Sequence, residues 1–265
     1  MAVEPEGTLT GTLTGKTIVI TRPAHQAESL CELIAANGGA PIRFPVLEIA
    51  EPQMPLDPET VSAILANTNL LIFISPNAVD YGMKVINAAG GIPDHINVAA
   101  IGQGTARKLS EWGHPANVFP REKFDSEALL AMQELQSVSG KQVVIFRGEG
   151  GREHLANTLR ERGANVEYAE CYRRVQPKTD TREITDRLAE ESIDAIVVTS
   201  NEGLENLYHM LEPINRQSLL NVQLFVVSER GQELAASLGF SKTAIIVSKA
   251  SDQGIVESLQ HWVTH

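Results

Sequence analysis

Short apolar runs alternate with segments of helical periodicity along the whole chain, a pattern that predicts parallel sheets covered by helices on both faces. In the first half the strand-like runs fall at residues 18–21, 41–46, 70–74, 98–101 and 116–119. In the second half they fall at 143–147, 166–169, 195–199, 223–227 and 244–247. Between the first two runs of each half lies an amphipathic stretch. Residues 27–37 bring Leu30, Leu33 and Ile34 to one face, and residues 152–162 bring Leu155 and Leu159. Gly38 and Gly163 follow these stretches, as helix C-terminal glycines commonly do.

The two halves are copies. Gly15-Lys-Thr-Ile-Val-Ile-Thr-Arg22 is echoed by Gly140-Lys-Gln-Val-Val-Ile-Phe-Arg147, 125 positions later. Leu30 and Leu155, Gly38 and Gly163, and Ser75 and Ser200 keep that spacing, and one inserted residue later Gly113 meets Gly239. A period this long marks two domain-sized units, not a solenoid, whose repeats reach about 50 residues. Sequence order alone would divide the chain near Ser137. The segments after the first helix of each copy, residues 40–53 and 164–177, are extended and carry Pro41, Pro45, Pro52 and Pro177, so both are candidate crossings between bodies.

Composition narrows the function classes. A chain of 265 residues with 43% hydrophobic and 21% charged positions supports buried cores of ordinary globular type. The net charge of −11 argues against nucleic acid or anionic membrane as the main partner. The apolar runs are strand-sized, far below the roughly 20 residues of a membrane helix. Residues 1–14 lack a signal-peptide pattern and read as a flexible tail. Cys31 and Cys171 stand apart without metal-ligand spacing, which fits a reducing, cytoplasmic setting. The seven histidines show no metal-ligand spacing either.

Ligands of open α/β sheets bind beyond the carboxyl ends of the strands, where helix N-termini present free amides. The loops there hold the candidate binding residues: Thr21 and Arg22; Ser75 and Asn77; Gly102, Gln103 and Thr105; Arg147, Gly148, Gly150, Gly151 and Arg152; Ser200 and Asn201; and Ser228. Glycine lets backbone amides approach a ligand, and Ser, Thr and Asn cap helices, so the set suits carboxylates or phosphates while each Ser, Thr or Asn taken singly is better explained by capping. Arg147-Gly-Glu-Gly-Gly-Arg152 is neither a Walker loop nor a dinucleotide fingerprint. Tyr172, in the second crossing segment, either faces a cleft or packs as an ordinary strand tyrosine.

The ordered set Ile-Thr-Arg-Pro23, Ile-Ser-Pro-Asn-Ala-Val79, Ala-Ile-Gly-Gln-Gly-Thr-Ala106, Phe-Arg-Gly-Glu-Gly-Gly-Arg152 and Glu-Cys-Tyr-Arg-Arg174 resembles the uroporphyrinogen-III synthase family from about Gly15 to the C-terminus. The resemblance implies an α/β fold of two flavodoxin-like parallel-sheet lobes with crossed connectivity, joined by a two-stranded linker. Lobe one would hold residues 15–41 and 177–265, lobe two residues 52–164, and the linker strands residues 42–51 and 165–176. It implies a substrate, hydroxymethylbilane, closed with loss of water and inversion of the terminal pyrrole, without a cofactor or metal. It implies a monomer with hydroxymethylbilane synthase as a transient partner. Tyr172 matches the family tyrosine proposed to assist departure of the hydroxyl; phenols keep their proton at neutral pH. Ser75, Thr105 and Ser200 match positions associated with the cleft. Where relatives often carry Thr after the fourth strand of the second copy, this chain has Gly231. The competing readings are a non-enzymatic two-lobed binding protein for small anions and a duplicated scaffold without a ligand.

Overall fold

The computed structural model describes residues 12–121, 125–151 and 153–265. Among them ten strands follow in chain order: β1 (Thr17–Ile20), β2 (Ala40–Arg43), β3 (Glu48–Ala50), β4 (Leu70–Phe73), β5 (Asn97–Ala100), β6 (Gln142–Gly148), β7 (Asn165–Val175), β8 (Ala195–Val198), β9 (Gln223–Val226) and β10 (Ile245–Ile246). The chain forms two compact units, both α/β with parallel-sheet cores. The first ends its opening stretch at Glu48 and resumes over Val175–His265; the second is Ile49–Arg174. Among the described residues no helix is long and apolar enough to cross a membrane.

In the first unit the strand order is β10-β9-β8-β1-β2, with every neighbouring pair parallel. Alternation along β1 sends Ile18 and Ile20 to one face, against the helices Ala24–Ala36 and Asp252–Thr264, and Val19 to the other, against Arg182–Ala189 and Asn201–Met210. A side chain buried in this way contributes about 1.5–3 kcal/mol. Both faces are therefore covered, which is why β8 and β9 are apolar or buried at each position instead of alternating with polar residues.

In the second unit the order is β3-β7-β6-β4-β5, and the β7-β6, β6-β4 and β4-β5 pairs are parallel. Phe73 and Phe146 stack at 4.9 Å between adjacent strands. Gly82 lets the helix Pro76–Ala88 come down on them, since a Cβ there would lie 2.6 Å from the Phe146 ring.

Each sheet mixes the two copies. β1 pairs with β8, and β4 with β6, so the first strand of either copy lies beside the third strand of the other. The same polar contact seals both junctions. Asp194 accepts the Thr17 amide at 2.8 Å, and Asn69, its counterpart in the other copy, accepts the Gln142 amide at 2.8 Å. This pairing overturns the division near Ser137, because a cut there would separate β4 from β6.

Other expectations shift in detail. The run 41–46 stops as β2 at Arg43 because Pro45 has no amide to donate, although Phe44 and Val46 still bond Ile20 and Thr21. Residues 116–119 give only a bridge between Val118 and Ala99. The strand expected at 166–169, within the linker strand 165–176, extends over Asn165–Val175 and pairs with β6 from Asn165 to Tyr172. Of the expected tail, residues 1–11 lie outside the described residues, and Leu13 is fully buried with its amide on Asn37. The described end of that segment is therefore no tail: the apolar side chain at 13 anchors the chain to the first helix.

Candidate functional site

The predicted site residues gather at the carboxyl ends of the strands of both units. In the first unit Thr21 and Arg22 follow β1, Ser200 and Asn201 follow β8, and Ser228 follows β9. Their side chains are largely committed. The Thr21 hydroxyl, buried, donates to the Val197 carbonyl at 2.8 Å. Ser200 and Ser228 cap their helices, accepting the Gly203 and Gly231 amides at 3.0 and 3.2 Å. Arg22 is ion-paired with Asp252. Gly231 fits its place sterically, since a Cβ there would meet the Cβ of Val226 at 3.2 Å.

In the second unit Arg147, Gly148, Gly150, Gly151 and Tyr172 line a cavity of about 370 Å³. Its wall is apolar at Ile74, Ile101, Ile145 and Leu155, and polar at Arg147, the Gly148–Gly151 backbone, Tyr168 and Tyr172. Ser75 caps the helix Pro76–Ala88 by accepting the Ala78 amide at 3.0 Å. Asn77 lies in the first turn of that helix, half-buried. Gly102 is the N-cap of the helix Gln103–Glu111, with Gln103 exposed and Thr105 buried. Ser75, Asn77, Gly102, Gln103 and Thr105 do not themselves line the cavity. Arg152 lies outside the described residues.

Tyr172 is brought to the cavity by an irregularity in its strand. The β6–β7 register pairs Arg147 with Glu170 but Gly148 with Tyr172, so Cys171 is an extra residue and Cys171 and Tyr172 are buried in succession. Such a bulge re-aims the side chain that follows it. The Tyr172 ring then lies close on Gly148, where a Cβ would stand 2.7 Å from Cε2 and Cζ. Its hydroxyl meets the Ser75 hydroxyl at 3.1 Å. Cys171 turns away, with its thiol against the Ala78 and Arg147 carbonyls, and burial pushes the thiol up to about 12.

Arg147 departs most from the expectation of a guanidinium open to ligand. It is 2% exposed, donates to Glu153 at 3.0 Å and to the Gly148 and Gly150 carbonyls, and stacks on the Tyr168 ring with its carbon 4.4 Å from the centroid. The Tyr168 hydroxyl donates to the other Glu153 oxygen at 2.5 Å. Hydrogen bonds from Tyr168 and then Arg147 hold the Glu153 carboxyl below its ordinary range, while burial and then Glu153 push the Tyr168 phenol up. The reason is general: a guanidinium withdrawn from water needs a carboxylate and further acceptors. The loop amides are also partly used, Glu149 on the Tyr172 carbonyl at 2.8 Å and Gly150 on Glu170 at 3.2 Å.

Glu153 and Tyr168 are therefore site residues that the motifs did not single out. The available signal was an acid six positions after Arg147 in a glycine-rich loop, and a tyrosine on the strand next to β6. Among the described residues no group of three or more His, Cys, Asp and Glu side chains is arranged to hold a metal ion.

Comparison with known proteins places these features in a family. The family model described as Uroporphyrinogen-III synthase HemD matches residues 28–257. The uroporphyrinogen-III synthase of Escherichia coli K12 is 32% identical over 248 residues, covering 92% of this chain and 99% of the relative. That of Salmonella typhimurium LT2 is 33% identical over 246 residues, with the same coverage. Among solved structures, a mutant uroporphyrinogen III synthase of the extreme thermophile Thermus thermophilus aligns with a TM-score of 0.58 at 19% identity over 93% of this chain and 99% of its own. The uroporphyrinogen-III synthetase of Helicobacter pylori 26695 gives 0.60 at 16% identity, over the same shares. These two show likeness of fold.

Proposed function

The chain belongs to the uroporphyrinogen-III synthase family, and from that premise we propose that it closes hydroxymethylbilane to uroporphyrinogen III, an enzyme of tetrapyrrole biosynthesis. The observation that carries the reading is the end-to-end match with two such enzymes, 92% of this chain against 99% of each relative. The cavity beside Tyr172 supports it. At about 370 Å³ it stands near the lower end of ligand pockets, so it takes part of a four-ring chain, an apolar pyrrole against Ile74, Ile101, Ile145 and Leu155.

In this reading the phenol of Tyr172 donates a hydrogen bond to the departing hydroxyl of the bilane. The hydroxyl leaves as water with a pyrrole N–H proton, and the substituted carbon of the far ring attacks the electrophilic azafulvene methylene to give a spiro intermediate. The older bond from that ring to its neighbouring methylene then breaks and re-forms at the ring's free carbon, with loss of the proton there, so that the ring is inverted. The electron-rich pyrroles supply the electron pairs, so the protein's task is to hold a bent conformer and favour one closure over another. No cofactor or metal enters the scheme. Because Arg147 is neutralised by Glu153, carboxylates are held chiefly by backbone amides and helix N-termini at Ser75, Asn77, Gly102, Gln103, Thr105, Gly148, Gly150, Gly151, Ser200, Asn201 and Ser228, with Thr21, Arg22 and Arg152 as further binding residues.

The strand order β2-β1-β8-β9-β10 supports a flavodoxin-like lobe. The adjacency of β3 and β7 supports a two-stranded connection between lobes. We assign the chain to the cytoplasm as a monomer that meets hydroxymethylbilane synthase transiently.

The test is an isomer assay. Supplied with freshly generated hydroxymethylbilane, the protein yields type III uroporphyrin after oxidation, in large excess over the spontaneous type I product. A product mixture identical to the protein-free control overturns the reading and returns the chain to the binding or scaffold class.

A further inference from the structure

We propose that Ser75 is a positioning residue for Tyr172, giving its own proton to the phenol oxygen so that the phenol proton is left to point into the cavity. This rests on the catalytic reading of Tyr172 given above.

The directions of two hydrogen bonds decide the matter. The Ala78 amide can only donate, and it donates to Ser75 Oγ at 3.0 Å. The Ser75 and Tyr172 hydroxyls lie 3.1 Å apart, and either one can be the donor. If Tyr172 donated, Ser75 Oγ would receive two protons while its own was left over, and the phenol would have spent its proton on a helix cap. If Ser75 donates, both contacts run the same way, from the helix amide through Ser75 to Tyr172. Hydrogen bonds aligned head to tail reinforce each other. The first donor also belongs to the N-terminal turn of the 13-residue helix Pro76–Ala88, whose positive end favours electron density drawn toward it. Among the described residues no buried side-chain oxygen or nitrogen lacks a partner, in keeping with a chain of contacts that is closed at this end.

The surroundings hold the phenol to this geometry. Tyr172 is 2% exposed, its ring is confined by Gly148 on one side, and Tyr81 lies 6.0 Å away, centroid to centroid. A phenol proton prefers the plane of its ring and so has two settings; one spends it on Ser75, and the other leaves it for the cavity that Tyr172 lines. Ser75 therefore decides between a useful and a useless rotamer of one O–H bond. No atom is transferred in this step; the serine proton stays on serine.

The experiment is a double-mutant cycle on full-length protein, read as initial rates of type III formation from hydroxymethylbilane. Ser75→Ala is expected to lower kcat about five- to thirtyfold with KM changed less than about threefold. Ser75→Thr, which keeps the hydroxyl, is expected to restore kcat to within about twofold. In a Tyr172→Phe background, Ser75→Ala is expected to cost less than about twofold more, because the phenol it served is gone. A full Ser75→Ala loss in that background overturns the proposal, since Ser75 would then act without Tyr172. If alanine at 75 fails to fold for want of a cap, Ser75→Asp keeps a capping oxygen but has no proton to give, and the same kcat loss is expected at saturating substrate; wild-type kcat in that variant overturns the proposal. Unchanged turnover in Tyr172→Phe alone removes the catalytic reading itself, and with it the role of Ser75. Loss in Tyr172→Phe with additive loss in the double variant removes the Ser75 role alone.

Discussion

Arg147 and Glu153 form an ion pair of unequal exposure, with the guanidinium 2% and the carboxylate 51% exposed at 3.0 Å. The buried member depends on the exposed one. Arg147 stands near the carboxyl end of β6 and carries a charge it cannot lose, so Glu153 and the carbonyls of Gly148 and Gly150 do for it what water would do at a surface. The same contacts curl the glycine loop around the guanidinium.

Glu153 makes stability depend on acidity. Its carboxyl lies below the usual glutamate range in the folded protein because Tyr168 and Arg147 donate to it. A depressed folded value means that the contribution is present at pH above the unfolded glutamate value and is lost as pH falls through the folded one. Glu153→Gln is expected to lower the melting temperature by about 2–4 °C at pH 7, and the difference from wild type is expected to shrink below pH ~4. Thermal unfolding of both proteins across that range checks it; a difference that stays constant with pH contradicts it.

Arg147→Ala removes three loop contacts at once. A loss of about 2–3 kcal/mol in unfolding free energy is expected, together with a KM for the bilane raised about fivefold or more, because the Glu149–Gly151 backbone loses its shape. Arg147→Lys is expected to rescue little, since an ammonium cannot bond Glu153 and two carbonyls in a planar fork while stacking on Tyr168. Denaturant titration and steady-state kinetics measure the two effects; full recovery in the lysine variant would show that charge alone suffices.

Tyr172→Phe is expected to lower kcat about tenfold to a thousandfold and to leave KM within about threefold. Gly148→Ala is expected to act on the same group by collision: a methyl 2.7 Å from the ring forces the phenol to move, costing about 1–3 kcal/mol of stability and lowering kcat at least about fivefold. Kinetics of the double variant check the link. If Gly148→Ala slows a Tyr172→Phe enzyme as much as it slows the wild type, displacement of the phenol hydroxyl is not the path of the effect.

Cys171 sits beside Tyr172 as a buried free thiol. Burial pushes its thiol up to about 12, so the reactive thiolate is scarce. Native protein treated with iodoacetamide at pH 8 is expected to remain unmodified at Cys171 over hours, and to react within minutes once unfolded. Peptide mass mapping of both samples decides the matter.

The sequence by itself determined the elements and their kind. Apolar periodicity located the helices Ala24–Ala36 and His154–Glu161 to within a few residues, and the spacing of Gly15, Gly38 and Gly113 with Gly140, Gly163 and Gly239 announced two copies with the same turns, all six at positive φ. These are local matters: capping, turn geometry and the burial of one face act between residues a few positions apart. The ordered motifs likewise pointed to the family, because they preserve chain order and spacing.

Only the tertiary structure decided which copy each strand joins, since β1 beside β8 and β4 beside β6 satisfy the same backbone hydrogen bonds that pairing within a copy would. It also decided that Arg147 is enclosed by Glu153 and Tyr168, and that a bulge at Cys171 turns Tyr172 onto Gly148. Each of these depends on distances between residues on different strands and loops, and a side chain's freedom to meet a ligand is whatever those distant neighbours leave it.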